Sequence, residues 1–178
     1  MVTGHSVISY DSAVQKKVRK TVREMLYDRG YDNFEEDKSD YATDIICDSE
    51  YLGSLIVKFT EDTRKGTLDE IINESTDYDI ILIVLYDEKV SPDLIIKYNT
   101  PNHQLYPYQH LLFNISRHKM VPNHELMNEH TKEYLKLNKK DLPLISRSDP
   151  MARYLHLKEG DMCKITRKNN TIFYRRCL

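Results

Sequence analysis

Glycine is scarce in this chain, five in 178 residues. None of the five sits in a glycine-rich loop that could cradle phosphate on successive backbone N–H groups. Cysteine is scarcer still. Cys47, Cys163 and Cys177 form no C-x-x-C pair and read as reduced thiols of an intracellular compartment. No run approaches the ~20 consecutive apolar residues of a membrane span. Residues 1–10 show no basic stretch ahead of an apolar core, so no secretory signal is expected there. Internal repeats, low-complexity tracts and a nucleophile elbow are also missing. These absences remove nucleotide-loop enzymes, disulfide scaffolds and membrane helices from the expectations.

The residues that are present describe a soluble α/β protein. Hydrophobic residues make up 40% and charged residues 30% of the chain, the balance of a folded globular protein of one or two domains. Net charge is −2, but it is unevenly spread. Met1 to Tyr108 carries 12 Lys/Arg against 21 Asp/Glu, and Gln109 to Leu178 carries 14 against 7. A balance of −9 followed by one of +7 argues for two domains with different surroundings. The basic half lacks interleaved aromatics, which favours an acidic protein surface over nucleic acid as its partner.

Along the chain, Ser12 to Arg29 has helical periodicity in Val14, Val18, Val22, Met25 and Leu26, a cap at Asp11 or Ser12, and a stop at Gly30. Its basic set, Lys16, Lys17, Arg19, Lys20 and Arg23, falls mostly on the opposite face and reads first as a solvated surface. Asn33 to Asp40 reads as an acidic loop. Ala42–Cys47 and Leu52–Phe59 read as a hairpin, and Thr67 as the cap of a short helix through Asn73. Ile80 to Tyr86 is apolar throughout, as a strand buried on both faces would be. Ser91-Pro92 pairs a capping residue with a first-turn proline, opening a helix to about Tyr98. Thr100 to His103 is the expected linker. Leu105–Tyr108 and Leu111–Ser116 read as strands, followed by an exposed proline-containing segment and a helix from Thr131 to Leu137.

The last third is the most specific. Ser148-Asp149-Pro150 is a capping pair followed by a first-turn proline, so a short helix is expected from Met151 to Leu155. Lys158 to Asp161 reads as a turn with Gly160 at positive φ. Met162–Arg167 and Thr171–Cys177 read as a terminal hairpin around Lys168-Asn169-Asn170.

Asp149-Pro150-Met151-Ala152-Arg153-Tyr154, followed by Leu157-Lys158-Glu159-Gly160-Asp161 and Lys164-Ile165-Thr166-Arg167, resembles the carboxy-terminal domain of the fifth subunit of multisubunit DNA-directed RNA polymerases, a domain that archaeal polymerases also have. That family writes the stretch as D-P-x-A-R-Y, then K-x-G and K-I-x-R. Leu112-Phe113-Asn114-Ile115 and His118-Lys119-Met120-Val121-Pro122-Asn123-His124 resemble its L-x-N-I and H-x-L-V-P-x-H. More weakly, Asp28-Arg29-Gly30-Tyr31 resembles the end of its first helix. Val90-Ser91-Pro92-Asp93 stands where the family usually has T-P-S-A. The archaeal versions hold only the carboxy-terminal module, so two modules imply the eukaryotic type, and the short first module would suit a large DNA virus.

The resemblance implies two small mixed α/β domains. Residues 1–103 would form a restriction-endonuclease-like jaw domain, and 104–178 a compact assembly domain ending in a β-hairpin. It implies a non-catalytic subunit anchored to the largest polymerase subunit and lining the lower jaw near downstream DNA. Nucleotidyl transfer and its Mg²⁺ would belong to the largest subunit. Partner contacts are expected at His118, Val121, Pro122, His124, Asp149, Pro150, Arg153, Lys164 and Arg167, with Ser91 and Pro92 near DNA. Tyr154 is expected in the core. No cofactor, metal, membrane or small-molecule substrate is expected. The location would be the nucleus in a cell, or a cytoplasmic viral factory or virion for a virus.

The alternative is a free-standing nucleic-acid-binding or degenerate nuclease-like protein. Endonucleases of the fold named above use an Asp on one strand and an acid-x-Lys on the next to hold a cation and orient water. Here Asp44 and Lys58 occupy two such positions, but Ile56 stands where the acid should be. His110, His118, His124 and His130 lack zinc-ligand spacing.

Overall fold

The computed structural model describes residues 11–36, 44–127 and 136–178. It divides into two compact units, 1–113 and 114–178. Gln109 to Phe113 carries no charged residue, so the charge split of −9 and +7 follows the units.

The first unit begins with α1, Ser12–Arg29. Asp11 caps it by accepting from Ala13 N at 3.0 Å. Gly30 ends it at φ 103°, where its N–H reaches the carbonyls of Leu26 and Tyr27; only glycine takes that conformation without cost. Five strands follow: β1 Asn33–Glu36, β2 Ile45–Ser49, β3 Gly53–Thr60, β4 Ile80–Leu85 and β5 His103–Pro107. They lie in the order β1-β2-β3-β4-β5. The β1-β2 and β2-β3 pairs are antiparallel, and the β3-β4 and β4-β5 pairs are parallel.

All six residues of β4 are buried, which accounts for its unbroken apolar run; a parallel strand needs cover on both faces. On one face, helices α2, Lys65–Glu74, and α3, Pro92–Lys97, supply Leu68, Ile71, Leu94 and Ile95 against Ile46, Ile56, Ile81, Ile83, Leu85 and Leu105. α1 covers the other face. Its Arg19 guanidinium lies 4.9 Å over the Phe59 ring, and its Arg29 donates to Gln104 Oε1 at 2.8 Å. Each fully buried Ile or Leu of β4 contributes about 1.5–3 kcal/mol of transfer free energy.

Several local expectations change. Asn33–Glu36 is a strand, because Phe34 and Glu35 pair with Cys47 and Ile46; residues 37–43 lie outside the described part. α2 starts two residues before Thr67, with Arg64 at its cap position and no side-chain cap. Asp62 takes over that work, accepting from Arg64 N at 2.9 Å and from Thr67 Oγ1 at 2.8 Å. Arg19 is 5% exposed, so it leaves the solvated basic face. The segment expected to link two domains is a turn instead: His103 N donates to Thr100 Oγ1 at 3.0 Å. The strand after it completes the first sheet, and the unit boundary falls ten residues later.

The second unit is built on four strands: β6 Asn123–Leu126, β7 Leu144–Ile145, β8 Met162–Thr166 and β9 Ile172–Cys177. Their order is β6-β8-β9-β7, with β7-β9 parallel and the other pairs antiparallel. The expected strand Leu111–Ser116 is replaced by two 3-10 turns, Tyr108–Leu111 and Ile115–Arg117. Asn114 imposes the second turn, its Oδ1 accepting from Ser116 N at 2.9 Å. The proline-containing segment runs directly into a strand. The helix expected from Thr131 lies, up to residue 135, outside the described part.

Helix α4, Pro150–Tyr154, follows Asp149, whose side chain accepts from Met151 N and Ala152 N. The β8-β9 hairpin turns at Asn170, φ 60°, closed by Arg167 N to Thr171 O at 2.9 Å and Asn170 N to Arg167 O at 2.8 Å. The last residues are tied in by backbone. Gly160 N donates to Cys177 O, Cys177 N to Asp161 O, and Leu178 N to Ile145 O, at 2.8–3.0 Å.

Candidate functional site

Two sequence segments nearly forty residues apart meet in the second unit. The Tyr154 hydroxyl lies 3.3 Å from Ser116 Oγ, and Ser116 Oγ is 2.7 Å from Asn114 Oδ1. The turn carrying Asn114-Ile115-Ser116 is thereby held against the end of α4, which carries Ala152-Arg153-Tyr154. Tyr154 is 3% exposed; its ring sits in the core and its polar tip has a partner, as a buried tyrosine requires. Asn114 stands in the L-x-N-I run, but the sequence reading gives neither it nor Ser116 a part in this joint. The signal was there: an Asx-type cap two residues before a Ser.

From that joint the chain passes through the loop of His118, Val121 and Pro122. His118 is exposed and Nδ1 accepts from Met120 N at 3.3 Å. Val121 N donates to His118 O at 2.9 Å. Val121 and Pro122 are half-buried. His124 Nδ1 donates to Pro122 O at 2.8 Å, which leaves Nε2 as the imidazole's remaining polar atom. Both histidines use a ring nitrogen to shape their own loop. Among the described residues, no three His, Cys, Asp or Glu side chains converge as a metal site requires.

The strand register sorts the remaining expected residues onto two faces. Glu125, Lys164 and Tyr174 share one row, and His124, Ile165 and Phe173 the next; successive side chains point to opposite faces. Lys164 is therefore on the face of Met162 and Tyr174, which pack with Met127, Leu137 and Leu142. His124 and Arg167 belong to the other face. The exposed Arg167 holds its guanidinium 4.3 Å over the Phe173 ring, a stacking worth about 0.5–1 kcal/mol at an exposed site. Sequence reading grouped Lys164 with Arg167; the pleat separates them.

α4 carries the other three. Asp149 is half-buried and committed to backbone, with Oδ1 2.8 Å from Met151 N and 3.4 Å from Ala152 N. Pro150 is exposed at the first helical position, and Arg153 is half-buried. The sequence missed three exposed apolar side chains of this unit: Phe173 is 41% and Ile172 43% exposed on the hairpin, and Met120 75% exposed in the loop.

In the first unit, Ser91 Oγ accepts from Leu94 N at 3.2 Å, with Pro92 next and Asp93 in the first turn. Ser91 and Pro92 are exposed, but the cap is already filled by the chain's own side chain. At the nuclease-like positions, the register sets Asp44 opposite Lys58, and Lys58 Nζ lies 2.5 Å from Asp44 Oδ2. Ile56 is 4% exposed inside the cluster formed with α2 and α3. Lys58 is paired with a carboxylate and its expected acidic neighbour is core hydrocarbon, so the cation-holding acid pair is absent at that place.

Burial sets the thiols apart from reactive chemistry. Cys47, Cys163 and Cys177 are free and buried. Desolvation pushes Cys47 and Cys163 up to about 12 and raises Cys177, so none is a poised thiolate near neutrality.

Residues 113–177 match the family model described as RNA polymerase Rpb5, C-terminal domain. A Caenorhabditis briggsae protein named DNA-directed RNA polymerases I, II, and III subunit RPABC1 is 29% identical over 188 residues, covering 87% of this chain and 89% of that protein. Its Caenorhabditis elegans namesake has the same identity and coverage. The Arabidopsis thaliana protein named DNA-directed RNA polymerases IV and V subunit 5B is 24% identical over 203 residues, 95% of this chain and 91% of that protein. The match to the family domain spans the second unit almost end to end, and the relatives extend it into the first. The second unit thus matches the Rpb5 C-terminal domain, and the chain is similar over most of its length to proteins named as subunits of multisubunit DNA-directed RNA polymerases.

Proposed function

We propose that this chain is an accessory, non-catalytic subunit of a DNA-directed RNA polymerase. Its second unit anchors it to the largest subunit, and its first unit forms part of the lower jaw near downstream DNA. The observation that carries the reading is the coincidence of the matched domain, 113–177, with the compact unit 114–178. The net charge of +7 on that unit suits an acidic protein surface. We assign the docking contacts to His118, Val121, Pro122, His124, Pro150, Arg153 and Arg167. Asp149 acts through the helix it caps and Lys164 through its place in the sheet. An exposed arginine fork held over a partly exposed aromatic ring suits the centre of a protein interface. Ser91 and Pro92 are assigned to the DNA-proximal edge, with contacts weakened by Asp93.

Nucleotide addition takes place elsewhere in the complex, and the chain works by position. In a cell this places the protein in the nucleus; in a large DNA virus it would be in a cytoplasmic factory or the virion. The nuclease-like alternative is disfavoured by Ile56.

The test is co-purification. A tagged copy is expected to bring down the two large polymerase subunits, and Arg167→Glu with Arg153→Glu to break that link. Arg153 is half-buried, so the exposed Arg167→Glu alone, with His118→Ala, separates lost docking from lost folding. Unchanged recovery of the large subunits with folded variants would remove these residues from the interface.

A further inference from the structure

The basic side chains of α1 run against the character of the unit that contains them. Ser12–Arg29 carries six Lys/Arg and two Asp/Glu, whereas the rest of 1–113 carries six against nineteen. Arg19 and Arg29 turn inward, onto Phe59 and Gln104. The others stay outside: Lys16, Lys17, Lys20 and Arg23 are all exposed. At 3.6 residues per turn, Lys16, Lys20, Arg23 and Tyr27 fall within a sector of about 60°. Val18, Met25 and Arg29 are buried on the far side of the helix. Tyr27, 69% exposed, extends the same line.

We propose that this stripe, Lys16, Lys20 and Arg23 with Tyr27, lies along the phosphate backbone of one strand of duplex DNA. The proposal rests on the subunit reading above and names the jaw surface that meets DNA. The rise of the helix separates Lys16 from Lys20 by about 6 Å and Lys20 from Arg23 by about 4.5 Å along the axis. Three cations over about 10 Å of a straight rod set a line of positive charge against the closely spaced phosphates of one strand. Arg23 can offer its fork and Tyr27 its hydroxyl to phosphate oxygens. Lys20 lies 3.8 Å from Glu24. Lys20 is 77% exposed there, and a pair this exposed contributes little and yields to a stronger anion. A line of cations on an acidic unit localises a linear polyanion at one surface while the remainder repels it. The α3 tip offers no comparable surface, since its cap is filled and its first turn is acidic.

The test compares polymerase carrying the natural chain with polymerase carrying Lys16→Gln/Lys20→Gln/Arg23→Gln, substitutions that keep helix propensity. Stalled elongation complexes with a downstream duplex are challenged with rising salt. The glutamine set should leave subunit composition intact, make the complexes dissociate at lower salt, and reduce the slope of log K against log salt by about 2 to 3. Lys16→Arg/Lys20→Arg should behave like the natural chain. An unchanged slope with intact composition overturns the stripe and leaves the subunit reading standing. Loss of the glutamine chain from the complex also overturns it, because the stripe then meets protein. If the natural chain does not enter a polymerase, the subunit reading fails on its own. Fluorescence anisotropy of the full chain on a duplex at low salt then decides the stripe: weaker binding by the glutamine set supports it, and equal binding removes it.

Discussion

Replacing Asp149 separates two roles that the sequence left merged. Its carboxylate accepts from Met151 N at 2.8 Å and Ala152 N at 3.4 Å, two of the donors that a helix start leaves without intrahelical partners. Asp149→Ala removes both bonds from a helix of only five residues, too short to hold itself together in water. Loss of such a cap costs about 1 kcal/mol, and the lost charge at the helix start adds about 0.3–1. The sum, about 1–2 kcal/mol, also loosens Tyr154 and its contact with Ser116. Asp149→Asn keeps an oxygen at the cap and forfeits only the charge, a few tenths of a kcal/mol. The assay is thermal melting of the full chain followed by recovery of the large polymerase subunits on a tag. Asp149→Ala should melt earlier, while Asp149→Asn should melt close to the natural chain and recover the same subunits. Equal destabilisation by the two variants would refute the capping argument. A stable Asp149→Asn chain that loses the subunits would make the carboxylate a direct contact.

Gly53→Ala should cost about 2–4 kcal/mol in chemical denaturation. Gly53 has φ 78°, and a Cβ there would meet Asp79 Oδ2 at 2.3 Å, displacing a carboxylate that accepts from Ser54 N and Oγ. Gly66→Ala meets nothing within 4 Å and should stabilise the chain by up to about 1 kcal/mol; a comparable loss there would undercut the comparison. Burial raises Tyr31 and Tyr98 from 10.0 to about 12, the Tyr98 hydroxyl also being held by Asp69 Oδ1 at 2.6 Å. Their folded values lie above the unfolded one, so their contribution is full below pH 10 and is lost between 10 and 12. Tyrosinate absorbance should therefore show late steps that merge with alkaline unfolding, and complete ionisation near pH 10 in the folded chain would contradict the burial.

Much of this fold can be read along the chain, and the failures have physical causes. Ser12–Arg29, the Ser91-Pro92 helix and the Asp149-Pro150 helix carry their own caps, so local chemistry determines their ends. The run at Ile80–Leu85 signals burial on two faces through composition alone. Asn33–Glu36 resisted because its pairing with β2 is tertiary and overrides an acidic composition. Arg19 resisted because a long side chain can turn from the polar face onto Phe59. At the candidate site, the short helix and the hairpin were legible. The meeting of Ser116 with Tyr154, and the division of Lys164 from Arg167, depend on tertiary approach and strand parity.

The central claim is that the chain works inside a polymerase, and one measurement tests it most directly. A tagged copy expressed from its natural source is fractionated by size, and each fraction is assayed for DNA-templated RNA synthesis. Co-elution of the chain with the activity and with both large subunits, in constant ratio across the peak, is the predicted result. A chain that elutes at its own 21.1 kDa, apart from an active polymerase that lacks it, would contradict the account.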